Sequence, residues 1–125
     1  MTRRTGVALL AVGLVIVGLG LSPHWGGAAA APRIVKVKAF EFAYEPKQIT
    51  VPPGAVEFDV TNTGSIEHTF LIDDPAKKTV GKIASILPGK TEKLTVTLKA
   101  GVHTIYCDLA GHREAGMLAS LKVQP

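Results

Sequence analysis

A cysteine, a histidine and a methionine crowd into Tyr106-Cys107-Asp108-Leu109-Ala110-Gly111-His112-Arg113-Glu114-Ala115-Gly116-Met117. Cys107, His112 and Met117 thus lie within eleven residues. A further histidine, His68, stands far upstream in Ile66-Glu67-His68-Thr69-Phe70. A thiolate, two imidazoles and a thioether are the donor set of a copper electron-transfer site. Soft sulfur favours Cu(I), imidazole suits both oxidation states, and a weak axial thioether leaves a trigonal plane of two nitrogens and one sulfur. Singly, these residue types say little, since a lone Met is usually core filler and a lone Cys a small buried hydrophobe. Together they point to a metal, with Gly111 and Gly116 beside His112 and Met117 where the chain must turn tightly.

The rest of the composition narrows the chemistry. The chain has 125 residues and a single cysteine. That length suits one small domain and excludes a multidomain enzyme. One cysteine excludes an internal disulfide framework, a zinc ribbon, a dithiol redox pair and a two-cysteine dinuclear copper centre. A zinc hydrolase would prefer histidine and carboxylate ligands around an open water position, and Met is a poor zinc ligand. Nucleophile chemistry would need a His–acid pair near the nucleophile, and no acidic partner is identifiable by spacing. The expectation is a protein that is not an enzyme and takes no small-molecule substrate.

The first thirty residues read as an address. Met1–Gly6 carries Arg3 and Arg4 and no acid, and Val7–Leu21 is an unbroken run of apolar residues and glycine. Ser22-Pro23 closes it, and Ala28-Ala29-Ala30 supplies small residues for cleavage after Ala30. Residues 1–30 are therefore read as a signal peptide and 31–125 as the mature domain, exported to the periplasm or another extracytoplasmic space. The alternative is an uncleaved tether through residues 7–21, although a full span takes about 20 apolar residues. Membrane contact is expected only in that case. Without Arg3 and Arg4, the 14 Lys and Arg fall to 12 against 10 Asp and Glu, a net charge of +2. The charges are interspersed, so a solvated surface is expected and no nucleic-acid partner. A lone thiol in an oxidising compartment needs protection, which bound copper provides.

The elements that must hold these donors read as strands. Arg33–Phe42 alternates around Val35, Val37 and Ala39, and Gln48–Val51 is short and β-rich before Pro52-Pro53-Gly54. Val56, Phe58 and Val60 alternate with polar residues, as do Leu94, Val96 and Leu98. Ile66–Ile72, Val102–Cys107 and Met117–Val123 complete the set, and Lys77–Ile86 is ambiguous between loop and a short helical turn. About seven or eight short strands with frequent turns predict an all-β, antiparallel Greek-key sandwich. Cys107 then sits at the end of one strand and Met117 at the start of the next. His103 shares the strand parity of Cys107 but lies far along the strand, and reads as structural or surface; His24 falls in the removable segment.

The chain resembles the cupredoxin family of small blue copper proteins, related to plastocyanin, azurin, auracyanin and rusticyanin. The resemblance covers nearly all of residues 33–124. Its carriers are Ile49-Thr50-Val51 with Gly54 after it, Asn62, Glu67-His68-Thr69-Phe70 and the Cys107/His112/Met117 loop. The spacing Cys-x4-His-x4-Met is similar to the longer loop of the auracyanin- and rusticyanin-like members. The resemblance implies one copper per chain, with His68 and His112 binding through Nδ1, Cys107 through its thiolate and Met117 axially. It also implies redox partners docking transiently near His112, whose edge reaches the surface among Leu109, Ala110, Gly111, Ala115 and Gly116, with Leu87-Pro88-Gly89 nearby. The flanks of Cys107 are Tyr106 and Asp108, so the His-Cys-His wiring of a multicopper oxidase is absent. Thr69 is a departure, since many members carry Asn there to brace the ligand loop. The expected function is a one-electron carrier; the alternative is a non-redox exported protein for copper delivery, storage or assembly.

Overall fold

A computed structural model describes residues 26–27 and 30–125. The signal segment and nearly all of its cleavage site lie outside the described residues. The described strands are β1 (Arg33–Phe40), β2 (Ala43–Glu45), β3 (Gln48–Val51), β4 (Gly54–Asn62), β5 (His68–Asp73), β6 (Thr79–Ile86), β7 (Thr91–Leu98), β8 (Gly101–Tyr106) and β9 (Leu118–Val123). They form two sheets, ordered β2-β1-β4-β7 and β3-β9-β8-β5-β6. Among the described residues no helix is long and apolar enough to cross a membrane.

Period-two alternation builds the sandwich. Val56, Phe58 and Val60 of β4 turn inward, as do Ala119, Leu121 and Val123 of β9 and Val96 and Leu98 of β7. The centre is aromatic: Phe70 meets Tyr44 edge-on at 5.6 Å and Phe58 at 5.4 Å. Such ring pairs add about 0.5–1.5 kcal/mol beyond the area they bury.

The sandwich is as expected, and four details differ from the sequence reading. First, the opening strand stops at Phe40, and Glu41-Phe42 is a turn into β2, with Phe42 at φ 58°. A non-glycine residue rarely takes that left-handed conformation, so no propensity signal marks it. Second, β5 begins at His68 rather than Ile66. Third, Thr79–Ile86 is a strand, where the sequence was ambiguous. His68 pairs with Ile86 but Phe70 with Ile83, so β6 carries an extra residue, a β-bulge. The bulge spaces the buried residues Ile83 and Ile86 by three, which erases the period-two pattern. Fourth, the pairing is mixed. β1 runs parallel to β4 and β3 parallel to β9, while the other pairs are antiparallel.

One buried amide ties the loops at the donor end of the sandwich. Asn62 donates from Nδ2 to the Ile66 carbonyl at 2.7 Å and the Ile86 carbonyl at 2.8 Å, and its Oδ1 accepts from Gly64 N at 2.9 Å. The fully buried side chain thus fixes the segment that enters β5 against the end of β6. Each of these contacts replaces water that the interior excludes.

Candidate metal centre

The four residues of the sequence reading gather at one end of the sandwich, on both sides of a strand pair. His68 opens β5. Cys107 follows the last residue of β8, and Met117 precedes the first residue of β9. His112 lies in the loop between them. That loop is held by its own turns: His112 N donates to Leu109 O at 3.0 Å, Ala115 N to Gly111 O at 3.0 Å and Met117 N to His112 O at 3.0 Å. Cys107 N donates to Met117 O at 3.3 Å, closing the loop where it leaves the sheet. Gly111 and Gly116 sit at φ 80° and 104°, which glycine adopts freely.

Donor atoms of His68, Cys107 and His112 all lie within 4.8 Å of one another. His112 Nδ1 is 3.5 Å from Cys107 Sγ, and the two imidazole rings stand 5.3 Å apart. Cys107, His68 and Met117 are buried to 0% exposure, and His112 is half-buried. Neither ring nitrogen of His68 has a hydrogen-bond partner. An imidazole stripped of water and left unpaired is costly, on the order of 1–3 kcal/mol per lost partner. A bound metal would take up one of those nitrogens. The soft, closed donor set fits one copper, as the sequence reading expects.

Glu41 faces the other nitrogen. Its Oε1 is 3.8 Å from His68 Nε2 and accepts from Ser65 N at 2.6 Å and Ile66 N at 3.2 Å. A Cβ at Gly64 would collide with this carboxylate, so the glycine makes room for it. The Ser65 amide leads in holding the Glu41 carboxyl below its usual pKa. Burial pushes the His68 pKa down, His112 adds to that, and Glu41 opposes it. With Nε2 turned to a carboxylate, Nδ1 is left for a metal. Phe42, the next residue, meets His112 edge-on at 5.1 Å. Sequence reasoning found neither Glu41 nor Phe42. The imidazoles they contact lie 27 and 70 positions away along the chain, and no local pattern signals them.

Thr69 supplies the bracing that its residue type left open. Its hydroxyl lies 3.3 Å from Cys107 Sγ and 2.8 Å from Asp108 Oδ1, and accepts from Asp108 N at 2.9 Å. Its own N–H donates to Sγ at 3.4 Å. The Tyr44 hydroxyl donates to the Thr69 carbonyl, and burial pushes that phenol's pKa well above its ordinary value. Asp108 is in turn paired with Lys82 at 2.7 Å. Lys82, chiefly, and the Thr69 hydroxyl hold the Asp108 carboxyl below the usual range.

A family model described as a cupredoxin-like domain matches residues 8–119. The chain belongs to the cupredoxin-like family. Among solved structures, this cupredoxin-like chain is similar to dithionite-reduced auracyanin from Roseiflexus castenholzii. The TM-score is 0.69 at 22% identity, covering 77% of this chain and all of that one. Auracyanin A from Chloroflexus aurantiacus gives a TM-score of 0.67 at 18% identity over 75% of this chain and all of its own. An azurin from Methylomonas sp. strain J gives 0.67 at 15% over 76% of this chain and all of its own. These likenesses speak for the fold. A curated relative, the copper-resistant cuproprotein CopI of Vibrio cholerae, is 29% identical over a 94-residue alignment that covers 62% of this chain. The match spans only 56% of that relative's length.

Proposed function

We propose that the protein is an exported blue copper electron carrier, with one copper held by His68, Cys107, His112 and Met117. The observation that carries the reading is His68, fully buried with both ring nitrogens unpaired and facing a thiol and a second imidazole. When bound, copper supplies a one-electron couple between Cu(I) and Cu(II). The chain's part is to hold the donors still. His68 opens β5 and Cys107 directly follows its neighbour β8 in the same sheet, and the loop that presents His112 is pinned by its turns. A site that rearranges little between charge states exchanges electrons fast, and a carrier rather than a catalyst is what such a closed site serves. Export rests on the arginine-led apolar run Val7–Leu21 and the alanines before position 31.

Redox partners dock over His112. Phe42 leans on that ring at 42% exposure; Leu87 and Ile66, near the start of β5, are 54% and 41% exposed, and Ala110 and Ala115 are open to solvent. Such an apolar rim excludes water on contact, and small side chains keep the contact brief.

The test is the visible spectrum and redox titration of the copper-loaded mature domain. An intense thiolate-to-copper charge-transfer band in the orange-red, bleached and restored by one electron, is expected. A colourless protein that keeps its copper and resists oxidation would overturn the carrier reading. That result would favour copper handling, the role suggested by the name of the Vibrio relative.

A further inference from the structure

Two donors of Thr69, its backbone N–H and its hydroxyl, lie beside the sulfur of Cys107. The Thr69 backbone N–H donates to Sγ at 3.4 Å. The Thr69 hydroxyl carries a single hydrogen and faces two acceptors, Sγ at 3.3 Å and Asp108 Oδ1 at 2.8 Å. A carboxylate oxygen at that distance accepts a charge-assisted bond, roughly twice as strong as a neutral one, while sulfur is a weak acceptor. The hydroxyl oxygen meanwhile accepts from Asp108 N at 2.9 Å, which fixes its lone pairs on the same residue's backbone. Lys82 holds the other carboxylate oxygen at 2.7 Å and so keeps Asp108 aimed at Thr69.

We propose that Asp108, held by Lys82, withdraws the Thr69 hydroxyl hydrogen from the Cys107 sulfur and thereby sets the reduction potential of the copper site. The proposal rests on the blue copper reading above. A hydrogen bond to a ligating thiolate draws electron density from it and weakens its donation to Cu(II), so each bond withheld lowers the potential. Asp108 and Lys82 are positioning residues in this scheme, since they act on the sulfur through Thr69. Both are partly exposed, so the setting of a buried site is reached from the surface.

The experiment compares copper-loaded wild type, Asp108→Ala, Thr69→Val and the double variant by redox titration and visible spectrum. Apo-protein melting temperatures serve as the folding control. Asp108→Ala frees the hydroxyl to turn to sulfur: the potential rises, and the charge-transfer band moves to shorter wavelength because the sulfur donor orbital is stabilised. Thr69→Val alone leaves the band near its wild-type position, because in the wild type the hydroxyl does not serve the sulfur. In the Thr69→Val background, Asp108→Ala then moves the band little and the potential only by the lost charge. Thr69→Ser restores the full response to Asp108→Ala.

A longer-wavelength band and a lower potential in Thr69→Val would show that the hydroxyl already serves the sulfur, and would overturn the proposal. An Asp108 effect of equal size with and without the hydroxyl would reduce it to plain charge and overturn it too. If valine prevents folding, Thr69→Ala takes its place in the cycle. Absence of the band in wild type would instead strike the blue copper reading itself.

Discussion

Two histidines lie buried in the same five-stranded sheet, and they are opposites. His68 opens β5 at 0% exposure with neither ring nitrogen bonded. His103 lies in β8 at 3% exposure, with Nδ1 3.3 Å from the Gly101 carbonyl. β5 and β8 are paired with Asp73 opposite Thr104, so His103 sits at the far end of β5 from His68, roughly 20 Å along the strand. Burial is therefore no guide to which histidine carries chemistry. The guide is what the ring nitrogens have been given. His103 has a backbone partner, while His68 has only a thiol, a second imidazole and a carboxylate around it, a setting that a metal completes.

The most severe way to break this contrast is to delete each ring. His68→Ala and Cys107→Ser should each abolish the charge-transfer colour of the copper-loaded protein. A hydroxyl cannot replace the thiolate donor, and a serine variant that stayed blue would place the site elsewhere.

A charge placed at each end of the sandwich gives the next largest difference. Ala110→Glu, beside His112, should leave the spectrum intact and slow electron exchange with a partner by roughly tenfold or more, because docking must desolvate the new carboxylate. Val102→Glu, exposed next to His103, should leave exchange unchanged. Equal rates in both variants would show that electrons leave by another face.

Met117→Leu sharpens the contrast within the donor end. A thioether is a weak copper ligand, so the variant should keep copper and its potential should rise, since losing a donor disfavours Cu(II). The swap conserves volume in a fully buried position and should cost less than about 1.5 kcal/mol of folding stability. Complete loss of copper would show that Met117 holds the site together.

The smallest effect falls on the other histidine. His103→Gln should leave colour and potential unchanged and lower stability in denaturant by about 0.5–1.5 kcal/mol, the worth of one internal hydrogen bond. A shifted band in this variant would mean that the far end is not independent of the site.

The donors were legible in the sequence because they cluster. Three of them share one loop whose ends are strands with clear alternation, and Val56, Phe58 and Val60 announced the core as plainly. What escaped reading was set by contacts distant in the chain. The bulge opposite Phe70 scrambled the period of β6. The parallel partners of β1 and β3 depend on which strand lies beside them, which no single segment encodes. Thr69 was visible as a departure, yet the brace it makes depends on Asp108 and Lys82, 39 and 13 residues onward. The export signal lies outside the described residues, so its reading rests on sequence alone.

Glu41 and Phe42 form a single turn that touches both imidazoles, one through a carboxylate and the other through a ring. The turn is thus a shared wall for the two rings, and a substitution that moved it would be felt at both histidines at once.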